Sequence, residues 1–138
     1  MSQQHIFIVD SDPVAALVTA SGLRRLLAPD VQVTVAASTG AGQLHSMHEL
    51  IDMLVIDPNP QIQEASALIA ALRAARPTVA VLVLAAYDTP GVRKQMQALG
   101  VQHYVAKPVE LYQLAATVRT LLGMPAALPT QPLTLLPS

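Results

Sequence analysis

Four short stretches of the chain are apolar throughout: Ile6–Val9, Met53–Ile56, Val79–Ala86 and Tyr104–Ala106. Short runs rich in Val and Ile point to strands buried on both faces. A fifth stretch, Val31-Gln32-Val33-Thr34-Val35, alternates apolar with polar residues. Alternation leaves one face wetter, as on an edge strand. Between these runs the apolar spacing turns helical. Pro13–Leu27 opens with Asp12 as N-cap and Pro13 at the first helical position. Leu17, Val18, Leu23, Leu26 and Leu27 form its expected core stripe. Helices are also predicted over Thr39–Leu50, Gln61–Ala75, Pro90–Leu99 and Val109–Leu122. Pro77, Gly100 and Gly123 end the last three, and Asp88 or Thr89 is the expected cap of the one starting at Pro90.

Strict β–α alternation predicts a parallel sheet with right-handed crossovers and helices on both faces. The alternating second strand belongs at one edge and the short fifth, His103–Ala106, at the other. Order 2-1-3-4-5 satisfies both, which is the flavodoxin-like (βα)5 doubly wound fold. Residues 1–123 form this domain. Residues 124–138 hold Pro125, Pro129, Pro132 and Pro137 and no charge, so an extended tail or linker is expected there.

Composition narrows the field further. The 138 residues are 52% hydrophobic and only 12% charged, with a net charge of −1. That excludes bulk disorder and leaves no basic surface for direct nucleic-acid binding. Cysteine is absent, so thiol catalysis and Cys-type zinc sites are excluded. The longest aliphatic run, Val79–Ala86, is too short to span a membrane. The first residues lack a basic, then apolar, leader pattern, and a cytoplasmic location is expected. His5, His45, His48 and His103 are scattered and suggest no zinc site.

In such a sheet ligands bind beyond the carboxyl ends of the strands, where the strand order reverses. Here that crevice lies between strands 1 and 3. Strand 1 ends in Val9-Asp10-Ser11-Asp12 and strand 3 in Ile56-Asp57-Pro58-Asn59. Strand 5 ends in Ala106-Lys107-Pro108, bringing one of only two lysines to the same rim. Clustered carboxylates resist joint ionisation unless a cation joins them. Mg²⁺ suits an oxygen-lined crevice of this kind. An aspartate beside Mg²⁺ and an ammonium is a plausible nucleophile toward phosphorus. Asp12 reads first as the helix cap. Lys107 could also pair with Asp57 as an internal salt bridge.

These residues carry a resemblance. Over residues 5–122 the chain resembles the receiver domain of two-component response regulators. The matching segments are Ile6-Phe7-Ile8-Val9-Asp10, Leu54-Val55-Ile56-Asp57 and Tyr104-Val105-Ala106-Lys107-Pro108. The resemblance implies phosphorelay signal transduction. Asp57 would accept a phosphoryl group from a histidine kinase and Lys107 would contact that group. Asp10, Asp57 and the backbone carbonyl of Asn59 would hold Mg²⁺, with Asp12 as a further ligand candidate. Ala85 and Tyr104 stand at the two switch positions. The segments Pro90–Leu99 and Val109–Leu122, with the strand between them, would form a partner or homodimer face carrying Val92, Arg93, Met96, Tyr104, Tyr112, Ala115 and Arg119. The tail would lead to an output domain.

The chain departs from the family pattern at the site itself. Ser11 stands where the second acid is usual, and Ala85 where a Thr or Ser hydroxyl is usual. Pro58 removes a backbone N–H directly after Asp57. Pro60 comes one residue early, with no glycine after it. The expectation is therefore an atypical receiver that acts through protein–protein contacts and holds Mg²⁺ weakly or not at all. It is not an enzyme, at most a phosphoacceptor. Tyr104, lacking a hydroxyl partner at residue 85, should be static. The alternatives are a conventional phosphoacceptor with Mg²⁺ and, more remotely, a small Mg²⁺-dependent phosphohydrolase with Asp12 as general acid.

Overall fold

The computed structural model describes residues 3–36, 38 and 50–125. Its elements run β1 (Gln4–Val9), α1 (Pro13–Leu27), β2 (Val31–Ala36), β3 (Met53–Ile56), α2 (Ile62–Ala75), β4 (Ala80–Ala85), α3 (Pro90–Ala98), β5 (His103–Ala106) and α4 (Leu111–Leu121). The strands form one parallel sheet in the order β2-β1-β3-β4-β5. The expected topology and both expected edges are found. The helix expected at Thr39–Leu50 lies, apart from Leu50, outside the described residues, as does the tail beyond Pro125.

Strand period two explains the two-sided core. Phe7, Val9, Leu54, Ile56, Val81 and Val83 face Ala65, Leu68 and Ile69 of α2 and Val92 and Met96 of α3. Their neighbours Ile6, Ile8, Met53, Val55, Leu82 and Leu84 face Ala20, Leu23 and Leu27 of α1 and Leu114, Ala115 and Val118 of α4. Each such large side chain contributes about 1.5–3 kcal/mol over leaving it in water. Edge strand β2 buries Val31, Val33 and Ala36 and exposes Gln32 and Val35. The other edge strand, β5, is only half-buried along its length, because one of its sides has no neighbouring strand.

Two expectations need correction, and one open alternative is resolved. The stripe assigned to α1 is shifted: Leu17 and Val18 are exposed, together with Val14, and the buried face is Ala16, Ala20, Gly22, Leu23 and Leu27. Gly22 allows Leu111 of α4 to approach so closely that a Cβ there would lie 2.8 Å from its Cδ2. The last helix starts at Leu111 rather than Val109, because the Glu110 carboxylate caps it, accepting the N–H groups of Tyr112 and Gln113. On α3 the cap is Thr89, whose Oγ1 accepts the Val92 N–H at 3.2 Å, which leaves the Asp88 carboxylate for other partners.

His5 is buried within the sheet. Its Nδ1–H donates to the Leu50 carbonyl at 3.1 Å, and its Nε2 meets Thr34 Oγ1 at 2.8 Å. Among the described residues no helix is long and apolar enough to cross a membrane.

Leu54 sits in β3 with no exposed surface. Leu54→Ala is expected to lower stability by about 2–5 kcal/mol. The change should appear as a fall in the urea midpoint at constant slope.

Candidate functional site

The sheet ladder continues one rung beyond each relevant strand. Asp10 N–H donates to Ala36 O at 3.2 Å, Asp57 N–H to Val9 O at 3.0 Å, and Lys107 N–H to Ala85 O at 2.9 Å. Each site residue thus hangs from the last carbonyl of a neighbouring strand. Lys107 stands two strand spacings from Asp57, about 10 Å, and its long side chain crosses the end of β4. Ala85, fully buried at that strand end, is small.

The lysine reaches both acids. Its Nζ donates to Asp10 Oδ2 at 2.6 Å and to Asp57 Oδ2 at 3.0 Å. The carboxylates are only 8% and 4% exposed and the lysine side chain 21%, so these are shielded, charge-assisted bonds. Burial by itself would lower the Lys107 pKa. The bonds to Asp10 and Asp57 outweigh it and hold the ammonium above its ordinary value. Every remaining oxygen is also engaged. Asp10 Oδ1 accepts the Asp12 N–H at 2.9 Å and Asp57 Oδ1 the Asn59 N–H at 3.1 Å. Asp57 Oδ2 accepts a second bond, from the Ala86 N–H at 3.2 Å.

Asp12 and Asn59 join this cluster only through their backbone N–H groups; the Asp12 carboxylate and the Asn59 carbonyl have other partners. Asp12 Oδ1 accepts the N–H groups of Val14 and Ala15 at 3.0 and 3.2 Å, as the cap of α1. The Asn59 carbonyl accepts a long bond of 3.4 Å from the Ser11 hydroxyl. Beside Asp57 lies a cavity of about 20 Å³ lined by Ser11, Ser38, Pro58, Asn59 and Pro60 among others, room for about one water. Among the described residues no group of three or more His, Asp or Glu side chains is arranged to hold a metal ion.

Ala85 and Tyr104 share one face of the sheet, where the register pairs Val83 with Tyr104 and Ala85 with Ala106. Tyr104 packs partly against the core and its hydroxyl donates to Asp88 Oδ1 at 3.1 Å. Arg93 grips the same carboxylate twice, Nε to Oδ1 at 2.8 Å and Nη2 to Oδ2 at 2.9 Å. Its guanidinium carbon lies 4.6 Å from the Tyr104 ring centroid. Sequence reasoning offered Asp88 only as one of two cap candidates and missed this trio. The three residues lie on a loop, a helix and a strand, and no local spacing rule links them. On the expected partner face, Val92, Met96 and Ala115 are buried in the core, whereas Tyr112 is 69% exposed.

A model of the response regulator receiver domain matches residues 6–119. No curated protein matches the chain. Among solved structures, a CheY-like response regulator receiver domain protein from Methanospirillum hungatei JF-1 is similar at 22% identity and a TM-score of 0.78, over 88% of this chain and 95% of that one. A response regulator from Thermotoga maritima gives 22% and 0.76, over 88% and 99%. A response regulator receiver protein from Burkholderia phymatum gives 22% and 0.76, over 91% and 100%.

Lys107→Met removes the cation from two buried carboxylates. It is expected to lower stability near neutral pH by about 3 kcal/mol. The folded Lys107 pKa lies above its unfolded value, which is about 10.4. Its contribution is therefore complete below the unfolded value and is lost as pH rises through the folded one. Urea unfolding of both proteins from neutral to about pH 11 should show the gap closing at the alkaline end. A gap independent of pH would mean that only packing was lost.

Proposed function

The chain belongs to the response regulator receiver domain family, and from that premise we propose that it is an atypical receiver, a signalling module working through protein–protein contacts with phosphorylation of Asp57 weak or absent. Receiver domains are phosphoacceptors that interact with histidine kinases and output domains and bind Mg²⁺ beside the acceptor. The observation that carries the proposal is the residue set around Asp57: Ser11 stands where a second acid is usual and Ala85, with no hydroxyl, ends β4. The Lys107 ammonium between Asp10 and Asp57 supplies positive charge that paired carboxylates require.

The donor set fits a divalent ion poorly. Asp10 and Asp57 each give one oxygen to Lys107 and one to a backbone N–H. The Asn59 carbonyl is met by the Ser11 hydroxyl, and Asp12 caps α1. These oxygens keep unused lone pairs, so a divalent ion would compete with Lys107 for Asp10 and Asp57 rather than displace every partner, and with Ser11 in place of a second acid it would find one carboxylate fewer. The capping role of Asp12, through Oδ1, speaks against its serving as the general acid of a phosphohydrolase.

One observation favours a conventional phosphoacceptor. The Lys107 ammonium and the Ala86 N–H both point at Asp57 Oδ2. A phosphoryl group on that oxygen would meet two donors suited to its charge. The partners in either case would be a histidine kinase or an output domain. We place the contact on the α3-β5-α4 face, which would also serve a homodimer.

Incubation with acetyl phosphate, or with beryllofluoride, in the presence of Mg²⁺ separates the two. The atypical receiver keeps its mass and its amide spectrum around Asp57. A gain of about 80 Da, one phosphoryl group, that disappears in Asp57→Ala would establish the conventional phosphoacceptor instead.

A further inference from the structure

We propose that Asp88 is a positioning residue, a latch that holds Tyr104 and the loop after β4 in one arrangement. The proposal stands on the surface trio and not on the chemistry of Asp57, so it can fail or hold separately from the function proposed above.

The geometry is that of a clasp. Asp88 lies on the β4–α3 loop, Arg93 in the first turns of α3, and Tyr104 on β5. One carboxylate joins all three. Its Oδ1 accepts both the Tyr104 hydroxyl and Arg93 Nε, and its Oδ2 accepts Arg93 Nη2. A forked guanidinium–carboxylate pair fixes direction as well as distance. Arg93 also stacks at 4.6 Å from the Tyr104 ring, so the phenol is held at its hydroxyl and over its face.

Two neighbouring residues make this arrangement possible. Thr89 caps α3 through Oγ1, which frees the Asp88 carboxylate from that duty. Ala85, on the same face of the sheet as Tyr104, is fully buried and has no hydroxyl to offer it. The tyrosine is therefore bonded outward, to a loop at the surface. The latch fixes the shape of the α3–β5 surface through contacts that involve neither Asp57 nor Lys107. In keeping with this, Arg93 holds the Asp88 carboxyl below its ordinary value, and burial followed by the bond to Asp88 raises the Tyr104 phenol, with smaller opposing effects of the Arg93 charge, which lowers it, and the Asp57 charge, which raises it.

The test compares the wild-type chain with Asp88→Asn and Asp88→Ala by NMR on ring-labelled tyrosine and by amide exchange. Tyr112, on α4 and 69% exposed, serves as the internal reference for the ring signals. Wild-type Tyr104 should give one set of ring signals and titrate above the ordinary tyrosine value. Both variants should bring its titration midpoint down toward that value and speed amide exchange over residues 86–92 by roughly fivefold. Arg93→Ala should speed the same amides. Amide exchange outside that loop serves as the control for an intact fold. An unchanged Tyr104 midpoint and unchanged loop exchange in both Asp88 variants would overturn the latch. A change in loop exchange with no change in Tyr104 would also overturn it, since Asp88 would then act on the loop alone.

Discussion

Two carboxylates at the mouth of a hydrophobic sheet repel each other, and everything near them is arranged around that repulsion. Taken out of bulk water, like charges a few ångströms apart interact far more strongly than at the surface. Lys107 resolves the conflict by placing its Nζ on both Asp10 and Asp57. It can do so because parallel strand order brings the ends of β1, β3 and β5 to one side and because Ala85 leaves the end of β4 low. The lysine is one of only two in the chain. Its position ties the outermost strand to the centre of the sheet.

Once this ammonium is in place, the surrounding loops have different work to do. Asp12 takes up the free N–H groups at the start of α1. Ser11 reaches across to the Asn59 carbonyl and joins the loops that follow β1 and β3. These are neutral or short-range links. They connect the same loops that a shared cation would connect, with weaker and more local forces.

The parts of this arrangement legible in the sequence are those with a local or periodic signal. The limits of α1 follow from Asp12 and Pro13. The sheet order follows from one alternating strand and one short one. The convergence of Asp10, Asp57 and Lys107 follows from that order. What was not legible depends on which side of an element is covered, or on partners far apart along the chain. Leu17 and Val18 have helical spacing, yet α1 turns Ala16, Ala20, Gly22, Leu23 and Leu27 inward, and at Gly22 the approach of Leu111 leaves no room for a larger side chain. Glu110 was not read as a cap because a glutamate at that position is less usual than Asp, Ser or Thr. The contact of Ser11 with Asn59 crosses 48 positions, and that of Tyr104 with Asp88 crosses 16.

Internal neutralisation also governs how this molecule meets others. Asp10 and Asp57 are balanced in part by Lys107, Asp88 is balanced by Arg93, and the whole chain carries only −1. Little net field extends beyond a Debye length, about 8 Å at physiological ionic strength. Encounter with a partner therefore receives little long-range electrostatic steering. It should proceed near the unsteered range of about 10⁵–10⁶ M⁻¹s⁻¹, with rates that change little with salt. Discrimination between partners then falls to shape and apolar contact, and to how long a complex lasts once formed.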